Sequence, residues 1–365
     1  VFISDRAKSA VRAYLKVRKG IDSDSLFMIT PRSVENLVKR YAIKAGITKK
    51  VTPHVIRHCL HPETRIMTEH GIMSAEDLFN TRRKVRVISF DWKRNKIIYK
   101  PIVGKEKHAS SNLVSLWADG REIICTPYHR FFVATENGVE EKTLQDITIR
   151  DYLAAVSSLP VAAGPTRPDD EKFWRLVGYI IGDGTISEAR HGIILTDKNH
   201  AFLDFYASLA ESVTGAKPTR TTKKGVRGGS LNIYNMALLR KVRALGITQR
   251  SPLRRVPKAL FALPSRCARA FLAGLYDAEG NSGTIKMFST SKELLKDVQA
   301  LLVTLSIESI ILRRDRTVTL PQGKKIKNTI YILHVTRPKS QRLFKKAIPT
   351  LKSGILVHPS VRKDD

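Results

Sequence analysis

The sequence predicts a multi-domain chain: an α-helical N-terminal stretch, then an all-β unit, then an α+β unit built from two repeats. Three observations predict this class. A chain of 365 residues exceeds one ordinary domain. The texture changes at Cys59, where apolar residues at helical spacing give way to short alternating runs. The string LVGYIIGDG at residues 176–184 is echoed by LAGLYDAEG at residues 272–280, which is an internal repeat.

In residues 1–58, Ala10, Val11, Tyr14 and Leu15 share one helical face. A second helix opens at Thr30 and Pro31 and carries Val34, Leu37, Val38 and Tyr41. Residues 85–90, 96–102, 113–118, 122–125 and 131–134 are β-rich runs divided by polar or glycine-containing turns, the pattern of an all-β unit. Pro160, Gly164, Pro165 and Pro168 mark a linker across residues 157–170. The expected units are therefore 1–58, 59–160 and 168–352, with 353–365 as a tail.

Charge points to a polyanionic partner. Lys and Arg number 64 against 33 Asp and Glu, a formal net charge of +31. Residues 212–276 hold no acid beside 14 Lys and Arg, and residues 316–363 none beside 12. Solvated faces usually mix signs, so two acid-free blocks in one half of the chain read as faces of one nucleic-acid surface. No apolar run is long enough to span a membrane and no export signal is present, so a cytoplasmic protein without membrane association is expected. Cys59, Cys125 and Cys267 are too few and too scattered for a disulfide framework or a zinc site. A thiol that matters here matters by itself.

The two echoed strings carry chemistry. Each is an apolar helix whose last turn holds an acid, Asp183 or Glu279, before a glycine expected to stop the helix in the left-handed conformation. Gly178 and Gly182, like Gly274 and Ala278, lie four apart on one face and allow two backbones to approach closely. Pairing the helices would set the two carboxylates side by side at two negative helix ends. That arrangement calls for a counter-charge, and Mg²⁺ accepts one or two carboxylates together with water and phosphate oxygens. The bland reading of either string alone is a buried helix with an ordinary cap; duplication with the acids in register argues against it.

These strings, with RVPKALF at 255–261 and the stretch 289–302, resemble the LAGLIDADG homing endonucleases carried by inteins, over residues 170–352. The resemblance implies a pseudo-symmetric monomer that cuts double-stranded DNA with Mg²⁺. Asp183 and Glu279 would be the metal-binding and catalytic acids, and each repeat would be a helix followed by a curved antiparallel sheet on the major groove. Arg254, Lys258 and Lys286 are candidates for an assisting cation. Ile181 stands where the family often has a further Asp, and Glu279 replaces an Asp.

At Cys59 the sequence runs CLHPETRIM, and GREIICTPYHRFF follows at 120–132. A thiol at a boundary of texture could attack the preceding carbonyl, provided that neighbouring groups polarise the amide. Thr126 and His129 offer a hydroxyl and an imidazole that titrates near neutral pH. Taken alone, a Thr and a His in a strand are more often packing and surface residues. The two strings, with 86–103 between them, resemble the first splicing blocks of inteins, which implies a Hint-type fold, with Cys59 as the first nucleophile and Thr126 and His129 as its assistants. The closing His-Asn pair of inteins is not found, so the resemblance also implies a separately supplied C-terminal segment as partner. The strand-like run at 331–335 suits the end of the endonuclease better than a late splicing strand.

Residues 1–58, above all VTPHVIRH at 51–58, resemble the catalytic domain of Xer-type tyrosine recombinases. There His54 and Arg57 match the pair that holds the scissile phosphate. The uninterrupted recombinase gene would then be the DNA target. The alternative from another class is a DNA-binding or self-processing remnant that no longer cuts DNA.

Overall fold

The computed structural model describes residues 30–44, 59–105, 107, 112–118, 121–136, 138–156, 170–187, 191–222, 228–247, 251–281, 283–319 and 325–352, with isolated positions 9, 12 and 13. The helical run expected at Ala10 to Leu15, and the sites His54 and Arg57, lie outside the described residues. Helix α1 (Pro31–Lys44) starts where Thr30 and Pro31 predict, and the Thr30 hydroxyl accepts from the Ser33 amide at 3.2 Å. Its Leu37 and Tyr41 are exposed.

The β unit begins with a hairpin, β1 (Arg65–Thr68) and β2 (Gly71–Ser74). Ser74 caps the short helix α2 (Ala75–Asn80) by accepting from the Asp77 amide. Strands β3 (Arg86–Asp91) and β4 (Lys96–Pro101) complete a sheet of order β2-β1-β3-β4. A hairpin of β5 (Val114–Ala118) and β6 (Arg121–Cys125) follows, then a sheet in which β7 (Arg130–Thr135) lies between β8 (Gly138–Thr143) and β9 (Tyr152–Leu153). The five β runs expected from sequence are β3 to β7, displaced at the ends by a residue or two. The β1–β2 hairpin, α2, β8 and β9 were not expected. β8 has Glu140, Glu141 and Lys142 at its centre, little of the β-branched pattern, and is a strand because β7 pairs with it.

The second half is a tandem repeat. The first copy is α3 (Asp170–Asp183), β10 (Gly184–Ser187), β11 (Gly192–Asp197), α4 (His200–Thr214), β12 (Thr219–Thr221), β13 (Gly229–Ile233) and α5 (Met236–Ala244). The second is α6 (Ser265–Glu279), β14 (Lys286–Ser289), α7 (Lys292–Thr304), β15 (Ile310–Thr319), β16 (Lys325–His334) and α8 (Pro338–Ala347). Their antiparallel sheets run β10-β11-β13-β12 and β14-β16-β15. An isolated bridge between Gly280 and Met287 stands where the first copy has the β10–β11 pair. Of the run at 331–335, residues 331–334 are the end of β16, paired to both β14 and β15.

Helices α3 and α6 form the spine. A Cβ on Gly178 would lie 2.1 Å from the Phe271 carbonyl oxygen, and one on Gly274 would lie 1.9 Å from that of Arg175. Backbone therefore meets backbone, as the small residues four apart predict. Helix α3 is buried on nearly every side: Trp174, Val177 and Ile181 enter the core of the second repeat, and Leu176, Tyr179 and Ile180 that of the first. The glycines that end the two helices are not left-handed, contrary to expectation. Gly280 is extended (φ −76°, ψ 158°). Glycine is needed at these positions for room, since a Cβ on Gly184 would sit 2.6 Å from the Ile180 backbone and one on Gly280 2.5 Å from the Tyr276 oxygen.

The β unit is docked on the second repeat. Arg65 Nε donates to Asp297 at 2.8 Å, and Arg65 Nη2 to Glu293 at 2.8 Å. Lys292 and Lys296 reach Glu122 at 2.6 and 3.1 Å, and Lys258 reaches Asp77 at 2.5 Å. Asp297, 3 % exposed, also accepts from Arg255 and from the Val256 amide. Part of the basic charge at 254–258 thus neutralises acids inside the molecule. Among the described residues no helix is long and apolar enough to cross a membrane.

Candidate active site

Asp183 is the last residue of α3 and Glu279 the last of α6, so the helix pairing carries both acids to one end of the spine. A Cβ on Gly182 would lie 2.3 Å from the Ala278 methyl and 3.2 Å from Glu279 Cγ, which shows how closely the two ends meet. Burial pushes the Glu279 carboxyl up to about 7, and the Asp183 charge adds to the shift, against the pull of Arg254 and Lys352. Asp183 is raised too, first by burial and then by Asp197, while Arg254 and Lys352 again oppose. Its side chain is open to solvent. The shift comes from protein crowding its inner side, with the outer side facing a cleft lined by Thr196, Asp197, Lys198, Phe202 and Lys352.

Two cations complete the constellation. Arg254, downstream of α5, donates through Nη1 to the Gly182 carbonyl and lies 3.5 Å from Glu279 Oε1. Lys352, downstream of α8, donates to the Ala278 carbonyl at 3.3 Å and to the Gly280 carbonyl. Each repeat thus ends in a basic residue that returns to the carbonyl just before that repeat's acid. Burial lowers the Lys352 pKa, against the attraction of Asp277, Asp197, Asp183 and Glu279. Of the cations considered from sequence, only Arg254 stands here. Lys258 is committed to Asp77, and Lys286 lies in β14 opposite His334. Lys352 was missed, because nothing local to it marks a site; its echo of Arg254 at the end of a repeat was the one available signal.

Among the described residues no group of three or more His, Cys, Asp or Glu side chains forms a metal cage. Two crowded carboxylates beside an open cleft are a donor set that leaves positions for water and phosphate oxygens, which fits Mg²⁺ and not a closed zinc site. Asp277, two residues before Glu279, is 1 % exposed and points elsewhere. It accepts from Arg175 and Tyr206 of the first repeat and from Thr350 and the Leu351 amide.

In the β unit, the Cys59 amide donates to Thr126 Oγ1 at 3.1 Å, and the Thr126 amide returns a bond to the Cys59 carbonyl at 3.1 Å. The hydroxyl therefore stands on the nitrogen of the peptide that precedes Cys59. His129 follows in the same turn, its amide donating to the Thr126 carbonyl at 3.0 Å, and its ring packs edge-on against Phe131 at 5.2 Å. All three cysteines are free thiols. Burial pushes those of Cys125 and Cys267 up to about 11, so neither is a ready nucleophile, whereas Cys59 is only half-buried.

The model of the LAGLIDADG-like domain matches residues 170–245 and 266–349, which are the two repeats. A Methanocaldococcus jannaschii protein named ATP-dependent DNA helicase Hel308 is 26% identical over 80% of this chain and 24% of its own length. The alpha polypeptide of the Bacillus subtilis ribonucleoside-diphosphate reductase NrdEB is 24% identical over 73% of the chain and 27% of its own length. A DNA gyrase polypeptide of Mycobacterium gordonae is 28% identical over 46% and 32% respectively. The chain spans about a quarter to a third of the length of these curated relatives. Among solved structures, I-DmoI bound to its target DNA in the presence of Mn aligns at a TM-score of 0.37 with 20% identity, covering 50% of this chain and 97% of that one. The N-terminal LAGLIDADG domain of DUF199/WhiA aligns at 0.35 with 16% identity, covering 52% and 87%. The two repeats of this chain, with Asp183 and Glu279 at the ends of their paired helices, are thus the part of the chain that is similar to the LAGLIDADG-like domain.

Proposed function

We propose that residues 168–352 form a homing endonuclease that hydrolyses both strands of a specific DNA site with Mg²⁺, carried within an intein that interrupts a tyrosine recombinase. The observation that carries the reading is the meeting of Asp183 and Glu279 at the end of two backbone-tight helices, with Arg254 bound to the Gly182 carbonyl and 3.5 Å from Glu279, and Lys352 bound to the carbonyls on either side of Glu279. A divalent cation held by these two carboxylates would neutralise charge on the phosphodiester and acidify the attacking water. The chain's own groups do the rest. Asp183 and Glu279 in their ionised forms hold the cation, one acid serving each strand. Arg254 and Lys352, pinned to backbone carbonyls, meet the charge that grows on the phosphate and the leaving 3′ oxygen without reorganising. The exposed basic side chains of β15, Arg313, Arg314 and Arg316, track the DNA backbone.

The test is incubation with a plasmid bearing the uninterrupted recombinase gene and Mg²⁺. One double-strand break within that gene is expected. Binding to the same DNA should weaken steeply with salt, log K falling by about 0.9 for each phosphate contacted per decade of salt. No cleavage of this or of any randomised site library, with a flat salt response, would retire the endonuclease reading in favour of a non-cutting remnant.

A second reading, self-processing at Cys59, is favoured by the hydrogen bond from the Cys59 amide to Thr126. In it Cys59 Sγ attacks the His58 carbonyl carbon, the carbon–nitrogen bond breaks, and the nitrogen takes a proton to become the Cys59 amine. Thr126 polarises that nitrogen and His129 supplies the proton. The recurrence of this segment in proteins named as a helicase, a reductase and a gyrase supports an insert that is independent of its host. The helicase match, at 80% of the chain, reaches beyond the two repeats into the β unit. With a segment ending in His-Asn supplied, added thiol should release residues 1–58, Cys59→Ala should stop release, and Thr126→Val or His129→Ala should slow it, all followed by mass spectrometry. Intact wild-type chain after thiol treatment would refute this reading and leave the endonuclease untouched.

A further inference from the structure

We propose that Asp277 and Thr350 are a clasp that positions Lys352 in the active site, so that the run after α8 is a working part of the catalytic centre. The inference rests on the endonuclease reading for its functional consequence and on geometry for the clasp itself. Asp277 lies in α6, yet its carboxylate is turned away from Glu279 into the protein, where it is 1 % exposed. One oxygen, Oδ2, accepts from Arg175 Nη2 at 2.8 Å and from the Tyr206 hydroxyl at 2.7 Å, both in the first repeat. The other, Oδ1, accepts from the Thr350 hydroxyl at 2.6 Å and from the Leu351 amide at 2.7 Å. Thr350 Oγ1 in turn accepts from the Lys352 amide at 3.1 Å. An unbroken chain of bonds thus runs from the first repeat through Asp277 and Thr350 to the backbone of Lys352, whose ammonium reaches the carbonyls on either side of Glu279.

The chemistry asks for such a device. Burying a carboxylate carries a desolvation cost, and four donors, two from the first repeat and two from the closing segment, are more than cap a helix. A lysine on a segment with no regular structure carries large rotamer and backbone freedom, which must be removed before its charge can act at a fixed point. Arg254, the matching cation of the first repeat, is held differently: the Arg254 carbonyl accepts from Ser291 Oγ at 2.7 Å. The two half-sites thus use unlike anchors.

The experiment compares wild-type chain with Thr350→Val, which removes the hydroxyl and keeps the volume, and with Thr350→Ser, which restores it. Two readouts are taken: acylation of Lys352 by a small amine-reactive reagent, followed by peptide mass spectrometry, and single-turnover cleavage with separate measurement of DNA affinity. In Thr350→Val, Lys352 is expected to react several-fold faster, and cleavage to slow by about tenfold or more at unchanged DNA affinity, with Thr350→Ser close to wild type in both. Unchanged Lys352 reactivity in Thr350→Val, or equal loss in the valine and serine variants, overturns the clasp. If the wild-type chain cuts no DNA while Lys352 reactivity still responds to Thr350, the clasp stands and the endonuclease reading falls.

Discussion

Asp183→Asn and Glu279→Gln each lower double-strand cleavage by at least about a thousandfold, because each removes one of the two carboxylates that would hold the cation at the reacting phosphate. DNA affinity stays level or rises, since an anion facing the phosphate has been deleted and no basic side chain has been touched. Both substitutions are nearly isosteric, so the helix pair persists. Gel-shift binding beside cleavage with Mg²⁺ separates the two effects; full cutting by either variant would end the assignment of these acids. The pH dependence has a definite sign. Glu279 sits at about 7 in the folded chain, above its ordinary 4.5, and only its ionised form can hold a cation. Cutting at limiting Mg²⁺ should therefore fall as pH drops through about 7, and saturating Mg²⁺, by favouring the ionised form, should move that limb to lower pH. Stability runs the other way. A raised carboxyl pKa favours the fold while the group is protonated, so without Mg²⁺ this contribution is full below about 4.5 and lost as pH rises through about 7. Glu279→Gln should flatten that slope in thermal melts taken across the same range.

Gly274→Ala is expected to destabilise the repeats by about 3 kcal/mol and to slow cleavage by about a hundredfold. The added methyl would sit 1.9 Å from the Arg175 carbonyl oxygen and 3.0 Å from the Tyr179 nitrogen, both backbone atoms of α3. Backbone of a helix buried on nearly every side cannot turn aside as a flexible side chain could. The helices must separate, and Asp183 and Glu279 separate with them. Gly104→Ala is the control, since nothing lies within 4 Å of a Cβ there. A wild-type melting temperature in Gly274→Ala would mean that α3 and α6 do not pack as described.

Much of the spine was legible in the sequence. Residues 176–184 and 272–280 carry apolar residues at helical spacing, small residues four apart and an acid before glycine, and all of these are properties of consecutive residues. They suffice to say that two helices end in acids and that one face of each admits another backbone. The strands β3 to β7 were legible for the same reason, their alternation being local. Even so, one reason was misassigned: Gly184 and Gly280 serve close approach and not a left-handed turn, and only the neighbours of their Cα atoms reveal that.

What the tertiary structure alone decided is which of many like residues share a place. Arg254, Lys258 and Lys286 are equivalent as sequence, yet one reaches Glu279, one is spent on Asp77 of the β unit, and one lies opposite His334 on a sheet. Lys352 and Asp277 gain their roles from a chain segment that returns across the repeat, and the Cys59 amide finds Thr126 across 67 positions of sequence. Helix and strand patterns follow from the period of the backbone and are written every three or four residues. A charged side chain near a buried acid obeys no such period, because its partner is set by how distant elements pack, and only the fold brings them within hydrogen-bond reach.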